Sequence, residues 1–151
     1  MNPIEELKTQ LAKYPAIKYK SDSTSITVPP QNPNSFEVRF AYGENDCLVF
    51  YEGWHEHFTA SEEAMKCFLF GLSPNCRLRV LRRGVYDYQW TLQILENGNW
   101  IAYDTTRLLF FPFWRRRKVI ILQNNYINNP HSLRSAAESG RSSAQEMKGK
   151  T

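Results

Sequence analysis

Cysteine is scarce in this sequence of 151 residues, and its three cysteines lack the spacing of a disulfide framework or a zinc site. Cys47, Cys67 and Cys76 are an odd number, and no two of them form a C-x-x-C pair. This pattern argues against a set of disulfides and against a closed zinc site, and it suits a reducing compartment. We therefore expect a cytoplasmic protein.

Long hydrophobic runs are also missing. No basic stretch followed by an apolar segment opens the chain, and the longest apolar segments have the length of a strand. A transmembrane helix needs about 20 consecutive apolar residues. The sequence therefore predicts neither a signal peptide nor a membrane span, and no membrane partner.

The sequence lacks a complete set of catalytic or metal-binding residues. Residues 54–57, Trp-His-Glu-His, offer two histidines, whereas zinc takes three or four protein ligands. We interpret them as a polar entry to the second helix and predict no metal ion and no cofactor. Cys67 falls in a predicted buried helix, where a thiol behaves as a small hydrophobe. No catalytic residue is predicted, which favours a protein that is not an enzyme but leaves catalysis open.

Aromatic residues are abundant, and charge is unevenly distributed. Aromatics make up 14% of the chain, enough for one well-packed domain of this length. Residues 1–76 carry a net charge of −4, residues 77–118 carry +6 and the remainder carries +2. Either the acidic half balances the basic half within the molecule, or the basic half is a footprint for an anionic partner.

Two helices are predicted from apolar residues at helical spacing. The first covers residues 3–14, with Asn2 as its N-cap and Pro3 at its first position. The second covers residues 60–70, with Thr59 and Glu62 spaced as a capping box and Gly71 placed as its C-terminal cap. Because this second segment is apolar around most of its circumference, we expect it to be buried.

The strands are predicted from alternation of apolar and polar residues. In residues 86–95 the apolar face holds Tyr86, Tyr88, Trp90, Leu92 and Ile94, and Asn97-Gly98 predicts a type I′ turn after it. Other predicted strands cover residues 25–28, 35–41, 47–52, 77–82, 100–104, 107–113 and 118–124. The predicted fold is α+β, mainly antiparallel sheet with a meander in the second half and two helices packed on one face. We predict a single domain over residues 1–128 and a disordered tail over 129–151.

Arginine-rich elements are the candidates for a partner-binding site. Arg77 and Arg79 alternate with apolar residues, which predicts that both lie on the polar face of the sheet. A predicted hairpin tip between strands 107–113 and 118–124 carries three arginines beside Trp114, which we expect to be half buried against Pro112. The candidate residues are Arg77, Arg79, Arg82, Arg83, Trp114, Arg115, Arg116 and Arg117. The same charges would also serve to keep a hydrophobic hairpin soluble.

Three classes of function fit these features. A non-catalytic binding module of the adaptor, chaperone or immunity type would use the basic sheet face and the tip to engage an acidic protein partner, and we favour it. A nucleic-acid-binding protein is the alternative, although no RNP run or zinc-finger spacing is present. A small-ligand or enzyme domain with an aromatic-lined cavity is the second alternative. The sequence does not indicate an oligomeric state.

Overall fold

The computed structural model describes residues 2–127, which form two helices and two antiparallel sheets. Helix α1 (Pro3–Leu11) begins at Asn2, whose side chain accepts a hydrogen bond from the N–H of Ile4 at 2.8 Å, so the predicted N-cap is confirmed. Helix α2 (Ser61–Gly71) begins after Ala60, which makes no side-chain capping bond, so the predicted capping box is wrong. The predicted tail, residues 129–151, lies outside the described residues.

The first sheet is a five-stranded antiparallel meander with the strand order β1-β2-β3-β4-β5. Its last strand was missed in the sequence, where residues 54–57 were interpreted as a polar entry to α2. In this strand Trp54 and Phe58 are buried and the two histidines are exposed, the period of two that a strand requires. The strand bounds are β1 (Lys20–Ser21), β2 (Ser25–Val28), β3 (Val38–Tyr42), β4 (Cys47–Tyr51) and β5 (Trp54–Phe58).

The second sheet has four antiparallel strands in the order β8-β7-β6-β9. The Asn97-Gly98 turn between β7 and β8 has φ values of 51° and 79°, as a type I′ turn needs. The strand predicted at 107–113 does not form, and β9 pairs with β6 on the opposite edge from β8. The meander is therefore limited to three strands, and the predicted hairpin is absent. The bounds are β6 (Cys76–Arg83), β7 (Tyr86–Glu96), β8 (Asn99–Arg107) and β9 (Arg117–Leu122).

The core lies between the helices and the two sheets. Helix α2 packs on β3, β4 and β5 and also contacts α1 and β6. A Cβ at Gly71 would lie 2.3 Å from the ring of Tyr51, so this glycine lets the helix approach the sheet closely instead of serving as the predicted left-handed cap. The fold is α+β with mainly antiparallel sheet, as predicted.

The predicted apolar face of β7 is buried over most of its length. Leu92 and Ile94 are buried and Trp90 is half buried, but Tyr86 is exposed. An irregularity in the β6–β7 pairing at Arg82 interrupts the alternation near this end, and such a bulge changes which way the side chains point. On the opposite face Thr91 is buried as well, and its hydroxyl is satisfied by a hydrogen bond with the Thr105 hydroxyl at 2.9 Å. The polar face of β7 is therefore less exposed to solvent than the sequence predicted.

Candidate partner-binding surface

Strand β6 carries Arg77 and Arg79 on the face opposite to the core. Leu78 and Val80 alternate with them and are buried, so both arginines project from the outer face of the second sheet, as predicted. The Nε of Arg77 donates to Oε1 of Gln93 at 2.7 Å, and its guanidinium lies 4.2 Å from the centre of the Trp100 ring. Arg77 is thus held by neighbouring strands through a hydrogen bond and a cation–π contact.

Arg79 differs from Arg77 because its charge is not paired. Its register partners are Thr91 on β7 and Ile121 on β9. Within residues 2–127 its guanidinium has no hydrogen-bond or ion-pair partner. Arg79 is half buried on the outer face of the sheet.

Arg82 is already neutralised within the molecule. Its Nε lies 2.5 Å from Oδ1 of Asp87, and a second nitrogen lies 3.3 Å from the other carboxylate oxygen. This two-point contact with Asp87 raises the pKa of Arg82 above its ordinary value. Recognition of a partner by Arg82 would have to compete with Asp87.

Arg83 joins the end of β6 to the segment between β8 and β9. One of its terminal nitrogens donates to the carbonyl oxygens of Phe113 at 3.2 Å and Arg115 at 2.8 Å. Its guanidinium carbon lies 5.7 Å from the ring centres of Tyr88 and Phe111, which stack on each other at 4.3 Å. These contacts give Arg83 a role in holding the 108–116 segment against the sheet.

The 108–116 segment exposes large apolar side chains. Only Phe111, on Tyr88, is stacked on a ring of the sheet, whereas Leu109 and Phe110 are 90% and 91% exposed. Phe113 and Trp114 are both 72% exposed and meet edge to face with ring centres 5.3 Å apart. The prediction that Trp114 is half buried is therefore wrong.

Arg115, Arg116 and Arg117 follow these apolar residues and are exposed. The stem of Arg115 lies near Gly84 in the turn between β6 and β7. Arg117 begins β9 opposite Arg83, which brings it to the same end of the sheet. We call the surface formed by Phe110, Phe113, Trp114, Arg115, Arg116 and Arg117 the basic–aromatic end.

The eight candidate residues do not form one continuous cluster. Arg83 lies beside the basic–aromatic end, whereas Arg77 is six residues further along β6, which corresponds to about 20 Å at the rise of a strand. The exposed apolar part of this surface was missed in the sequence, because residues 107–113 were assigned to a strand with one buried face. Pro112 within that run was the signal against a paired strand.

Within residues 2–127 the remaining titratable groups form neither a metal-like cluster nor a nucleophilic one. His55 and His57 point outward from β5, and His57 lies 3.5 Å from Asp46. Among residues 2–127 no group of three or more histidine, cysteine or acidic side chains could hold a metal ion. Burial raises the pKa of the Cys67 thiol to about 12, so it is protonated at neutral pH.

Comparison with known proteins gives no further assignment. No protein-family model, no curated protein and no solved structure matches this chain. In the described part of the chain, neither helix has the length and apolar character that crossing a bilayer requires. The site must therefore be interpreted from its own residues.

Proposed function

We propose that this chain is a non-catalytic cytoplasmic binding module that engages an acidic protein partner through the basic–aromatic end. One observation carries the proposal: Phe110, Phe113 and Trp114 are 72% to 91% exposed and are followed directly by three exposed arginines. The three free cysteines support the assignment to a reducing compartment.

The apolar part of this surface resembles the centre of a protein interface. Contiguous exposed apolar patches are uncommon on monomeric proteins and mark sites of association. Interface centres are enriched in aromatic residues and arginine, and tryptophan and arginine supply a large share of the binding energy. Phe113 and Trp114, next to Arg115, match that composition.

The charge of the surface favours an acidic partner. The arginines of the basic–aromatic end make no ion pair within residues 2–127, whereas Arg82 is paired with Asp87. Guanidinium groups bind carboxylates through two parallel hydrogen bonds, which a lysine cannot do. Acidic side chains around an apolar patch would therefore complement both parts of this surface.

The attachment of the segment also favours binding. Arg83 holds the carbonyl groups of Phe113 and Arg115, and Phe111 stacks on Tyr88. A surface that is held in place before association loses less conformational entropy when a partner binds. The exposed side chains are thus presented on a fixed backbone.

The experiment replaces Arg115, Arg116 and Arg117 by serine. The matched control replaces three exposed lysines of the acidic half, Lys13, Lys18 and Lys20, and so removes the same charge elsewhere. Partners captured from the native host by the parent protein are purified and their affinities compared. We expect the arginine variant to bind at least about tenfold more weakly and the lysine variant to bind as the parent does. Equal binding by the parent and the arginine variant would contradict the proposal.

Salt dependence separates a protein partner from nucleic acid. A site for single-stranded oligonucleotide would lose affinity steeply as salt rises, because binding releases counterions from the phosphates. A protein site with an aromatic centre should be less sensitive to salt and should weaken when Trp114 is replaced by serine with all charges kept. Tight binding to an oligonucleotide or to anionic lipid vesicles, without a protein partner, would overturn the proposal.

A further inference from the structure

Strand β9 forms a regular edge of the second sheet. It pairs with β6 over all six of its residues in one continuous register. The opposite edge strand, β8, pairs irregularly with β7 at Leu92 and Gln93 and also contacts β5. Edge strands present unpaired backbone N–H and C=O groups, and bulges protect such edges against pairing with another chain. β9 is therefore the edge of this sheet that is better able to accept a further strand.

The pattern of backbone hydrogen bonds identifies the residues of β9 that face outward. Along an antiparallel strand, successive residues direct their backbone N–H and C=O groups alternately to one side and to the other. The carbonyl of Asn75 accepts from the N–H of Leu95 at 2.9 Å, so the odd-numbered residues of β6 bond toward β7. The even-numbered residues of β6 therefore bond toward β9, where they lie opposite even-numbered residues. The odd-numbered residues of β9 consequently direct their backbone groups away from β6.

The residues of β9 with outward backbone groups are Arg117, Val119 and Ile121. The next odd-numbered residue, Gln123, supports this pattern, because its N–H donates to the carbonyl of Asn34 at 2.8 Å and not to β6. Within residues 2–127, the outward groups of the three strand residues make no backbone hydrogen bond of this kind. The open edge thus ends at Gln123 and has the basic–aromatic end at its other limit.

The side chains along this edge are aliphatic at its centre and basic at one end. Val119 and Ile121 are 48% and 40% exposed, and Arg79 lies opposite Ile121 on the same face. Lys118 is exposed at the start of the strand and adds to the positive charge of the basic–aromatic end. The sequences of β6 and β9 contain no acidic residue. A strand added here would therefore meet an aliphatic stretch and then a cluster of positive charge.

We propose that β9 binds an extended segment of the acidic partner as a fifth strand of the second sheet. This inference rests on the proposed function and specifies the form in which the partner binds. In such a complex the main-chain hydrogen bonds supply affinity, and alternate side chains supply specificity. Antiparallel pairs are slightly more stable than parallel ones, so the added segment runs antiparallel to β9.

The register of the edge determines the sequence that suits it. Residues of the segment opposite Ile121 and Val119 bond to them through their own N–H and C=O groups and place their side chains on the same outer face. The residue two positions further on lies opposite Arg117. The segment therefore has alternate aliphatic residues followed by acidic residues toward its carboxyl-terminal end.

A second copy of this chain would complement the edge less well. β9 contributes no carboxylate, and pairing two β9 strands would bring two basic clusters to one sheet. Repulsion between like charges opposes such an assembly, whereas an acidic segment neutralises the cluster. Charge complementarity thus favours a partner of opposite charge.

The first test uses synthetic peptides with the full chain. The probe is acetyl-Thr-Val-Thr-Val-Thr-Glu-Glu-Glu-amide, whose valines would lie opposite Ile121 and Val119. N-methylation of both valines removes the N–H donors that face β9, whereas N-methylation of the second and third threonines removes donors that face away from it. We expect a Kd below about 1 mM for the probe and for the threonine-methylated peptide, and at least about tenfold weaker binding of the valine-methylated peptide.

The second test changes the edge itself. Val119→Pro removes an N–H that points outward and is not a donor to β6, and edge strands tolerate proline at such a position. Val119→Thr keeps this N–H and a β-branched side chain and is the matched control. Val119→Pro should bind the probe and the captured partner at least about tenfold more weakly than Val119→Thr does. Circular dichroism and a denaturation curve establish that both variants are folded.

The outcomes separate this inference from the proposed function. Loss of partner binding on replacement of Arg115, Arg116 and Arg117, with no effect of Val119→Pro, would leave the proposed function standing and overturn the added strand. Equal affinity for the two N-methylated peptides would overturn it without any change to the protein. A dimer of the parent that Val119→Pro dissociates, without binding of the probe, would assign the edge to a second copy and would also overturn it.

Discussion

At the scale of single residues, glycine fixes the positions of large rings. A Cβ at Gly53 would lie 2.4 Å from the ring of Trp90, and real Cβ atoms do not approach other atoms so closely. Only glycine therefore fits the turn between β4 and β5 on which this ring rests. Trp90 connects the second sheet to the first through that contact.

Trp90 and Trp114 provide a matched pair of substitutions. Trp90→Ala should lower the free energy of unfolding by about 3 kcal/mol, because it removes a half-buried ring and leaves a cavity above Gly53. Trp114→Ala removes an exposed ring and should change it by less than about 0.5 kcal/mol. Chemical denaturation of both variants measures the difference. Similar losses would show that the ring of Trp90 is not packed between the sheets.

Asp22 should titrate below its ordinary pKa. Hydrogen bonds from the N–H of Thr24, and then from the hydroxyl and N–H of Ser25, lower the pKa of its carboxyl from 3.8. Because the pKa is lower in the folded state, Asp22 contributes stability above pH 3.8 and loses it as the pH falls through the folded value. A carbon NMR titration of the carboxyl group checks this. A midpoint at or above 3.8 would be inconsistent with these hydrogen bonds.

At the scale of elements, the period-two alternation of apolar and polar residues predicted most strands. It failed at β5, because of Glu56, and at residues 107–113, which contain Pro112. β7 was predicted because its apolar residues alternate strictly. β5 was missed because Glu56 takes an inward position between two aromatic residues and makes the segment look polar. Residues 107–113 were predicted to form a strand, but Pro112 has no N–H to donate to a neighbouring strand. The carbonyl of Phe113 accepts a hydrogen bond from the Arg83 side chain and not from a strand backbone.

For the candidate site residues, the sequence predicts positions within one strand but not contacts with other segments. The outward positions of Arg77 and Arg79 follow from the alternation of β6 alone. The partners of Arg82 and Arg83 do not, because Arg82 meets Asp87 across an irregular pairing and Arg83 meets a segment 30 residues away. Contacts between distant segments decide which arginines remain free for a partner.

Arg83 should control the order of the 108–116 segment. Arg83→Ala removes both hydrogen bonds to the carbonyls of Phe113 and Arg115 and the contacts with Tyr88 and Phe111. We expect faster cleavage by chymotrypsin after the exposed aromatic residues, with about 1–3 kcal/mol lost in global stability. Arg79→Ala, in the same strand, removes a side chain that makes no hydrogen bond or ion pair with the described residues, and it should leave the cleavage rate unchanged. Equal cleavage of the two variants would contradict an anchoring role.

At the scale of the whole molecule, the division into two sheets depends on a few contacts that local patterns do not reveal. Short connections correctly suggested antiparallel neighbours, but they could not show that β9 returns to β6 instead of extending from β8. The chain after β9 then reaches the first sheet. There the side chain of Asn124 accepts from the N–H of Phe36 at 3.1 Å and donates to the carbonyls of Phe36 and Gly71 at 3.1 and 2.9 Å.

We therefore expect Asn124 to contribute more to the free energy of unfolding than any exposed polar residue. Its amide joins the entry to β3, the end of α2 and the chain after β9, and it is 1% exposed. Asn124→Ala leaves buried backbone groups of Phe36 and Gly71 without partners, so we expect a loss of about 3–5 kcal/mol in the free energy of unfolding. Asn124→Asp should be at least as damaging, because a carboxylate cannot donate to two carbonyls. The neighbouring Asn125→Ala, at an exposed position, is the control, and an equal denaturation midpoint for Asn124→Ala and Asn125→Ala would refute this account of how the parts are joined.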